Sequence, residues 1–350
     1  MGSYQALTQR SGIQLVLQTI KDYGPISKRE LQERTGLSWS HISQVTKRFL
    51  EEEYIVVCGK EMTPGRAREV LDINQTDNYF IGADLNNRRV RIVLTDMKGC
   101  IVYEARKDWE KLEYESVLKT VFCALDDIFL KYKDKKIHGI GFAVQGVVDI
   151  AKGISVRIDK IKNWKNVRLK EMVEERYHIK TVIAHDPDCL MKCECHLGVL
   201  TKMQVDDVVL IQYHHGVGVG MSIMINGQIY IGSQGMAGEI GHTILDKKDG
   251  VPKMLGHYAD KNDTEEDVAM IIDCLGRSVA TVNSLFNPEI VVLCITEDFC
   301  REEIIRSVET YLRKHSCNDQ VRLEVSGLNK NAKALGAALL VVDEEIDTIT

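Results

Sequence analysis

The stretch Gly24 to Arg48, GPISKRELQERTGLSWSHISQVTKR, constrains the fold of this chain more than any other. Ile26-Ser27-Lys28-Arg29-Glu30-Leu31 has the form of a capping box. Ser27 offers a side-chain acceptor to the first free backbone N–H groups, Glu30 reaches back three residues later, and Ile26 and Leu31 make a hydrophobic staple. Gly36 breaks that helix. A second start follows at Ser38, with Leu37 and Ile42 as its staple. Two capped helices joined by a turn of about four residues form a helix-turn-helix, the geometry that lays a second helix in a major groove. On that second helix Ile42, Val45, Phe49 and Leu50 recur at helical spacing and are expected to face the core. Ser40, His41, Gln44, Lys47 and Arg48 fall on the other face, where each can hydrogen-bond a base or a phosphate. A small helical hairpin with a solvated face would share the pattern, but caps, turn and polar face together point to DNA.

The next segment extends this reading. Tyr54 to Cys58 and Val70 to Ile73 are strand-like, and the ten residues Gly59 to Arg68 between them are rich in turn formers and basic side chains. Strand, basic loop and strand after a recognition helix predict a winged helix-turn-helix over residues 1–75. Arg66 and Arg68 are then placed to lie along a minor groove; a solvated hairpin tip is the plainer alternative. Net charge adds nothing, because residues 1–75 hold ten Lys+Arg against nine Asp+Glu. With basic residues in local clusters only, affinity per module is expected to be modest and binding to be dimeric.

At 350 residues the chain is long enough for two or three domains. There is no run of 18 or more apolar residues, and the N-terminus lacks a signal-peptide core, so a cytoplasmic protein without membrane contact is expected. Met1-Gly2-Ser3 matches a myristoylation start only weakly. Ten cysteines are scattered without CxxC pairs and are expected to be free thiols. Cys189, Cys193 and His196 share one helical face; packing explains such a stripe more simply than a metal, and no metal or cofactor is expected.

From Asn78 onward strands and helices alternate. Residues 79–85, 89–94 and 100–104 read as three sequential antiparallel strands, followed by a helix over 114–131 and a buried strand over 137–144. A second round begins with strands 208–213 and 220–225, the latter ending in the hairpin turn Asn226-Gly227. A helix over 265–285 and a strand over 290–293 complete it. Two such halves predict two α/β lobes, 76–185 and 186–350, with the C-terminal helix able to return to the first lobe. A small ligand is expected in the cleft between them.

These halves carry a specific resemblance. Gly238-Glu239-Ile240-Gly241-His242, preceded by Gly232-Ser233-Gln234-Gly235-Met236-Ala237, is similar to the sugar-binding E-x-G-H motif of the ROK family (repressors, open reading frames and kinases). His185-Asp186-Pro187-Asp188 resembles the family's N-D-A-N segment. Gln145-Gly146-Val147-Val148-Asp149 resembles its G-x-V-D loop, and Asn163-Trp164 stands where the family places a tryptophan. The order of the motifs, over about residues 10–340, is more telling than any one of them. The resemblance implies an actin-like (ribonuclease H-like) sugar-kinase fold behind the winged helix-turn-helix. It also implies Asp186, Glu239 and His242 as sugar-facing groups, with His185 and Gly146 beside them. A carboxylate accepting from adjacent hydroxyls next to an imidazole suits that role; Glu239 and His242 holding a Gly-rich loop together is the structural alternative.

Departures from the family remove chemistry. Its first phosphate loop resembles Asp-x-Gly-Gly-Thr, whereas Asp84-Leu85-Asn86-Asn87-Arg88 keeps only the aspartate, so backbone N–H groups lose their close approach to phosphate. Gly216-Val217-Gly218-Val219-Gly220 survives, but Leu293-Cys294-Ile295-Thr296 lacks the later glycine pair. Phosphoryl transfer depends on that positioning and is not expected. The family's zinc cysteines have no counterpart in Pro252 to Asp260. The sequence therefore predicts a sugar-responsive transcriptional regulator, a repressor that binds operator DNA as a homodimer. Two other readings remain: a vestigial pocket under the control of a protein partner, and a kinase with an unorthodox nucleotide site.

Overall fold

The computed structural model describes residues 11–63, 66–86, 88–214, 218–248, 251–254, 265–295, 301–315 and 321–349, with backbone alone at 60–63, 66–67, 245–248, 251–254 and 265–267. The chain forms two units, divided between Cys189 and Leu190 and again between Ala332 and Lys333.

The first unit begins with three helices, α1 (Gly12–Tyr23), α2 (Lys28–Thr35) and α3 (Trp39–Glu51). Ser27 caps α2 with Glu30 completing the box, Gly36 ends it in a left-handed conformation at φ 69°, and Ser38 caps α3. Helix α1 was not read from the sequence, although Ser11 and Gln14 make the same reciprocal box. A three-stranded sheet follows, with β1 (Ile26–Ser27) against β3 (Arg66–Ile73) and β3 against β2 (Ile55–Thr63). The wing departs from the long basic loop expected over Gly59–Arg68. Pairing continues to Thr63↔Arg66, so nearly all of that segment is ladder, with a register shift between Val57 and Gly59. A ladder that satisfies backbone groups on both strands outweighs the turn-forming composition.

Val16, Leu17, Ile20, Leu31, Ile42, Val45, Phe49, Ile55 and Leu71 form the core of this winged helix. On α3 the apolar face is as expected except that Leu50 is only half-buried and Thr46 is buried, its hydroxyl donating to the Ile42 carbonyl at 2.7 Å. The core does not stop at the winged helix. It runs on into Phe80, Met97 and the residues Val341, Val342, Ile346 and Ile349 near the C-terminus. Each fully buried side chain of this size contributes about 1.5–3 kcal/mol, which ties the DNA-type module to the body of its own unit.

That body is a five-stranded sheet of order β11-β7-β4-β5-β6, made of β4 (Asn78–Leu85), β5 (Arg89–Asp96), β6 (Ile101–Asp108), β7 (Lys136–Val144) and β11 (Lys180–His185). The meander β4-β5-β6 is antiparallel, whereas β7 and β11 run parallel to β4. Strand β6 starts one residue later than expected and extends four further, to Asp108. Helix α4 (Tyr114–Lys131) covers one face through Val117, Val121, Leu125 and Ile128. Short strands β8 (Val147–Asp149), β9 (Ile154–Arg157) and β10 (Lys165–Val167) and helix α5 (Leu169–Tyr177), unread in the sequence, lie between β7 and β11. Trp164 is buried among them and donates to Ser155 at 2.8 Å.

The second unit repeats the plan. Its sheet, of order β14-β13-β12-β17-β18, is built from β12 (Val208–His214), β13 (Gly218–Ile225), β14 (Gln228–Ile229), β17 (Ile290–Ile295) and β18 (Arg322–Val325). Again an antiparallel meander is followed by parallel strands, here β17 and β18. Asn226 and Gly227, at φ 52° and 72°, make the expected two-residue hairpin turn. A separate hairpin pairs β15 (Ile244–Lys248) with β16 (Val251–Met254). Helices α7 (Glu265–Phe286) and α8 (Arg301–His315) pack on the main sheet through Leu275, Val279, Ile304 and Val308. Helix α6 (Asp186–Leu197) leads from the first unit into the second.

The chain ends in α9 (Ala332–Thr348), which lies on the face of the first sheet opposite α4. Its fit demands glycine in the strands beneath. A Cβ at Gly82 would strike the Ala334 carbonyl, and one at Gly141 the Ala337 carbonyl.

Candidate functional site

In parallel sheets, ligands collect beyond the carboxyl ends of the strands. Here β4, β7 and β11 end side by side at Asp84-Leu85, at Val144 leading into Gln145-Gly146, and at His185 leading into Asp186; Asp84 pairs with Ala143 and His185 with Val144. Asp84, His185, Asp186 and Asp188 are all buried. Gly146 has φ 92°, a left-handed backbone that favours glycine, and a Cβ there would run into the Arg157 carbonyl. The Asp84 Oδ1 and Gln145 Oε1 atoms are buried without a hydrogen-bond partner among the described residues.

Lys333, in the first turn of α9, makes a short ion pair with Asp186 Oδ2. The side chains are 13% and 9% exposed, so this is a buried pair. Nothing in the sequence marks Lys333, which is 147 residues away from its partner. The His185 Nε2 atom stands 3.9 Å from Asp186 Oδ1. Burial pushes the Asp84 carboxyl above its ordinary 3.8. Lys333 opposes that rise and the neighbouring Asp186 adds to it.

Glu239 and His242 belong to the second unit. Glu239 precedes and His242 closes a single turn of 3₁₀ helix (Ile240–His242), with His242 Nε2 3.8 Å from Glu239 Oε2. Gly238 precedes them at φ 89°, where a Cβ would meet the Met221 carbonyl, and buried Ile240 anchors the turn beside Met221 and Ile223. The expected sugar contacts thus divide, with Gly146, His185 and Asp186 in the first unit and Glu239 and His242 in the second. The stretch expected to lack zinc cysteines, beyond the backbone of β16, lies outside the described residues, as do Asn87 and Gly216-Val217. Cys189 and Cys193 are buried, and burial pushes the Cys193 thiol up to about 12.

On α3, Ser40, Gln44 and Lys47 are exposed and His41 and Arg48 half-buried. His41 is wedged against the start of α1, where a Cβ on Gly12 would lie 2.6 Å from its Nε2. Lys47 and Arg48 pair with Glu51 and Glu52 one turn on, at 3.8 and 2.7 Å. Arg48 also borders a cleft of about 450 Å³ shared with Tyr54, Lys136 and His138. Arg68 is half-buried on β3, and the Arg66 side chain lies outside the described residues.

The winged helix is fastened to the end of α9. The Tyr54 hydroxyl donates to Glu345 Oε1 at 3.0 Å, and His138 Nδ1 contacts the same oxygen at 3.2 Å while its Nε2 meets Asn78 Oδ1 at 2.8 Å. The His138 ring stacks on Phe80 at 5.5 Å. Gln14 Nε2 donates to the Asp347 carbonyl at 2.6 Å, and Lys21 pairs with Asp343 at 3.7 Å. Hydrogen bonding to His138 holds the Glu345 carboxyl below its ordinary 4.5, while burial, then Glu345, pushes the Tyr54 phenol upward.

The ROK family's sequence model matches residues 80–257 and 251–344. The chain belongs to the ROK family. A winged helix-turn-helix DNA-binding model matches residues 13–56 in front of it. The xylose repressor of Bacillus subtilis is 25% identical over 386 residues, covering 99% of this chain and 98% of that protein. The N-acetylglucosamine repressor of Escherichia coli O157:H7 is 26% identical over 232 residues, 65% of this chain and 55% of its own. Among solved structures, a ROK family transcriptional regulator described as a homologue of the E. coli MLC protein superposes with a TM-score of 0.80 at 21% identity, covering 97% of both chains. A ROK family glucokinase from Streptomyces griseus, in complex with glucose and AMPPNP, superposes on part of the chain. Its TM-score is 0.60 at 18% identity over 75% of this chain and 98% of that one. The fold is therefore the actin-like sugar-kinase fold, carrying a winged helix-turn-helix.

Proposed function

We propose that this ROK protein is a sequence-specific DNA-binding transcriptional repressor that responds to a sugar or sugar derivative and transfers no phosphoryl group. One observation carries the reading. A capped helix-turn-helix with a polar face stands on a ROK body whose motif carboxylate, Asp186, is taken by Lys333. A general base has to accept a substrate proton, and a carboxylate already neutralised by an ammonium group is a weak one. As an acceptor for a sugar hydroxyl the same carboxylate serves well. The names of the relatives, a xylose repressor and an N-acetylglucosamine repressor, favour the same function.

Residues 1–75 form the DNA module, with Ser40, His41, Gln44, Lys47, Arg48, Arg66 and Arg68 toward operator DNA. Residues 76–185 and 186–350 form the two lobes, with the C-terminal helix α9 returning to the first, and Gly146, His185, Asp186, Glu239 and His242 face the sugar. The protein acts as a homodimer in the cytoplasm. Helix α9 links ligand to DNA within one unit: Lys333 holds Asp186 at its start, and twelve residues on, roughly 18 Å along the axis, Glu345 holds Tyr54. A sugar hydroxyl that replaces Lys333 at Asp186 shifts α9 and, through its packed end, the recognition helix. A coupling of about 1–3 kcal/mol is enough for a useful switch.

The test starts with selection of bound duplexes from a randomised library. Binding to the selected duplex is then measured by anisotropy with and without xylose, glucose and N-acetylglucosamine. Gln44→Ala is expected to relax sequence preference, and Lys47→Ala to weaken binding across all sequences while lowering the salt slope by about one. Failure to enrich any sequence would sink the DNA reading, and sugar-dependent ADP release from Mg·ATP that disappears in Asp186→Asn would restore the kinase.

A further inference from the structure

One row of the first sheet joins Asp84 to two arginines that the sugar contacts do not use. Asp84 is only 4% exposed; its Oδ2 accepts from Asn86 Nδ2 at 3.2 Å, and its Oδ1 has no partner among the described residues. An unpaired buried carboxylate oxygen is costly and marks a missing donor. Across the sheet Asp84 lies opposite Arg91 of β5, and Arg91 lies opposite Arg106 of β6. Side chains in cross-strand register share a face, so all three are on the α9 side of the sheet, two residues along β4 from Gly82 where that helix packs.

Two guanidinium groups directly opposite each other repel. The next pair on that face, Arg89 and Asp108, is neutralised by a 3.0 Å ion pair. Arg91, half-buried, and Arg106, exposed, make no close ion pair and no hydrogen bond among the described residues, although the Asp84 and Asp108 charges reach Arg91. Burial first, then Arg89, lowers the Arg91 pKa; Asp84 opposes that fall, Arg106 adds to it and Asp108 opposes it again. A buried acceptor therefore sits beside two guanidinium forks whose N–H donors make no hydrogen bond among the described residues. Asp84 to Arg106 spans two strand spacings, roughly 10 Å, a length that a sugar bearing a charged substituent can bridge.

We propose that Asp84, Arg91 and Arg106 form a receptor for a polyol carrying an oxyanion, a phosphorylated or carboxylated sugar: Asp84 accepts a ligand hydroxyl and the two guanidinium groups bind the oxyanion. Arginine forks match the planar or tetrahedral oxygens of such groups. The inference rests on the sugar-effector reading and gives that effector its chemical class. It also gives a use to the arginine-bearing hairpin that replaces the family's glycine phosphate loop.

The experiment is calorimetric titration of the full chain with three classes of ligand: neutral xylose, glucose and N-acetylglucosamine; anionic glucose 6-phosphate, N-acetylglucosamine 6-phosphate and glucuronate; and inorganic phosphate alone. At least one anionic sugar is expected to bind about tenfold or more tighter than its neutral parent. Arg106→Gln, at an exposed position that leaves folding intact, is expected to erase that advantage, and Arg106→Lys to keep part of it. Phosphate esters against glucuronate separates a phosphoryl from a carboxylate preference. Neutral and anionic sugars binding alike, with Arg106→Gln inert, overturns the receptor and leaves the sugar-effector reading standing. No binding by any sugar overturns both. An Arg106→Gln that weakens duplex DNA binding while anion binding is unchanged makes the row a DNA contact and also overturns the receptor.

Discussion

Replacing Lys333 by methionine removes the ammonium group and keeps the bulk and helix propensity of the side chain. Asp186 is then a carboxylate 9% exposed, with no ion-pair partner from α9 and with buried Asp84 adding like charge. Breaking one side of a buried pair costs about 3–5 kcal/mol, because the remaining charge stays desolvated. With a urea m-value of about 2–3 kcal/mol/M, the unfolding midpoint is expected to fall by about 1–2.5 M near neutral pH. Fluorescence of Trp109 and Trp164 follows the unit concerned, since both pack with its first-sheet core, whereas Trp39 is exposed. The loss has a definite pH dependence. Lys333 is the main influence holding the Asp84 pKa down against burial, so without it the Asp84 carboxyl is raised further above 3.8. A carboxyl raised on folding keeps a proton that the unfolded chain gives up, so the variant loses stability as pH climbs from 3.8 through the native pKa. Its deficit should therefore be largest at neutral pH and shrink toward pH 4. Adding Asp186→Asn should recover most of it by removing the stranded charge. A deficit under about 1 kcal/mol at neutral pH, or one that is the same at every pH, refutes the buried-pair reasoning.

Tyr54→Phe deletes the donor to Glu345 and is expected to cost about 1–2 kcal/mol; a double-mutant cycle with Glu345→Gln in urea unfolding should show the two changes to be less than additive. Glu345 has its pKa lowered by His138, so its contribution is present above 4.5 and lost as pH falls below that value. The Tm of Glu345→Gln should accordingly vary less than wild type across that acid window, and parallel curves would disprove the coupling. Ser38→Ala removes the α3 cap, with a loss of about 1 kcal/mol readable as a lower urea midpoint and an unchanged m-value.

How far the sequence could be read depended on the distance over which each signal acts. Ser27 with Glu30 and Ser38 with His41 act within one turn, and both helix starts lie where the local pattern puts them. The equally local Ser11–Gln14 box at α1 was present and could have been found. In the wing, Gly59, Pro64 and Gly65 favoured a long loop. The cross-strand ladder out to Thr63 and Arg66 depends on the partner strand, which no window of composition contains. The E-x-G-H and N-D-A-N-like strings single out Glu239, His242 and Asp186 as candidates, because a family pattern carries tertiary information that a single segment lacks. Lys333 had no such marker, since it meets Asp186 only after the chain has built the whole second unit and returned.

That return gives the arrangement its physical sense. A phosphoryl-transfer enzyme and a ligand-switched regulator need opposite things from a motif aspartate. The enzyme needs it free to take a proton; the regulator needs its state to matter elsewhere. Lys333 makes Asp186 matter elsewhere, because the residue that neutralises the carboxylate stands on the helix whose far end shares a core with Leu17, Phe49 and Leu71. Gly82 and Gly141 bring that helix so close to the strands that it has little room to slide without disturbing them. Packed interiors respond to such a load by shifting between discrete arrangements rather than by gradual give. In the switch proposed above, a ligand that competes for Asp186 acts on the recognition helix through a rigid element, with Tyr54–Glu345–His138 as the contact where the coupling is lost or kept.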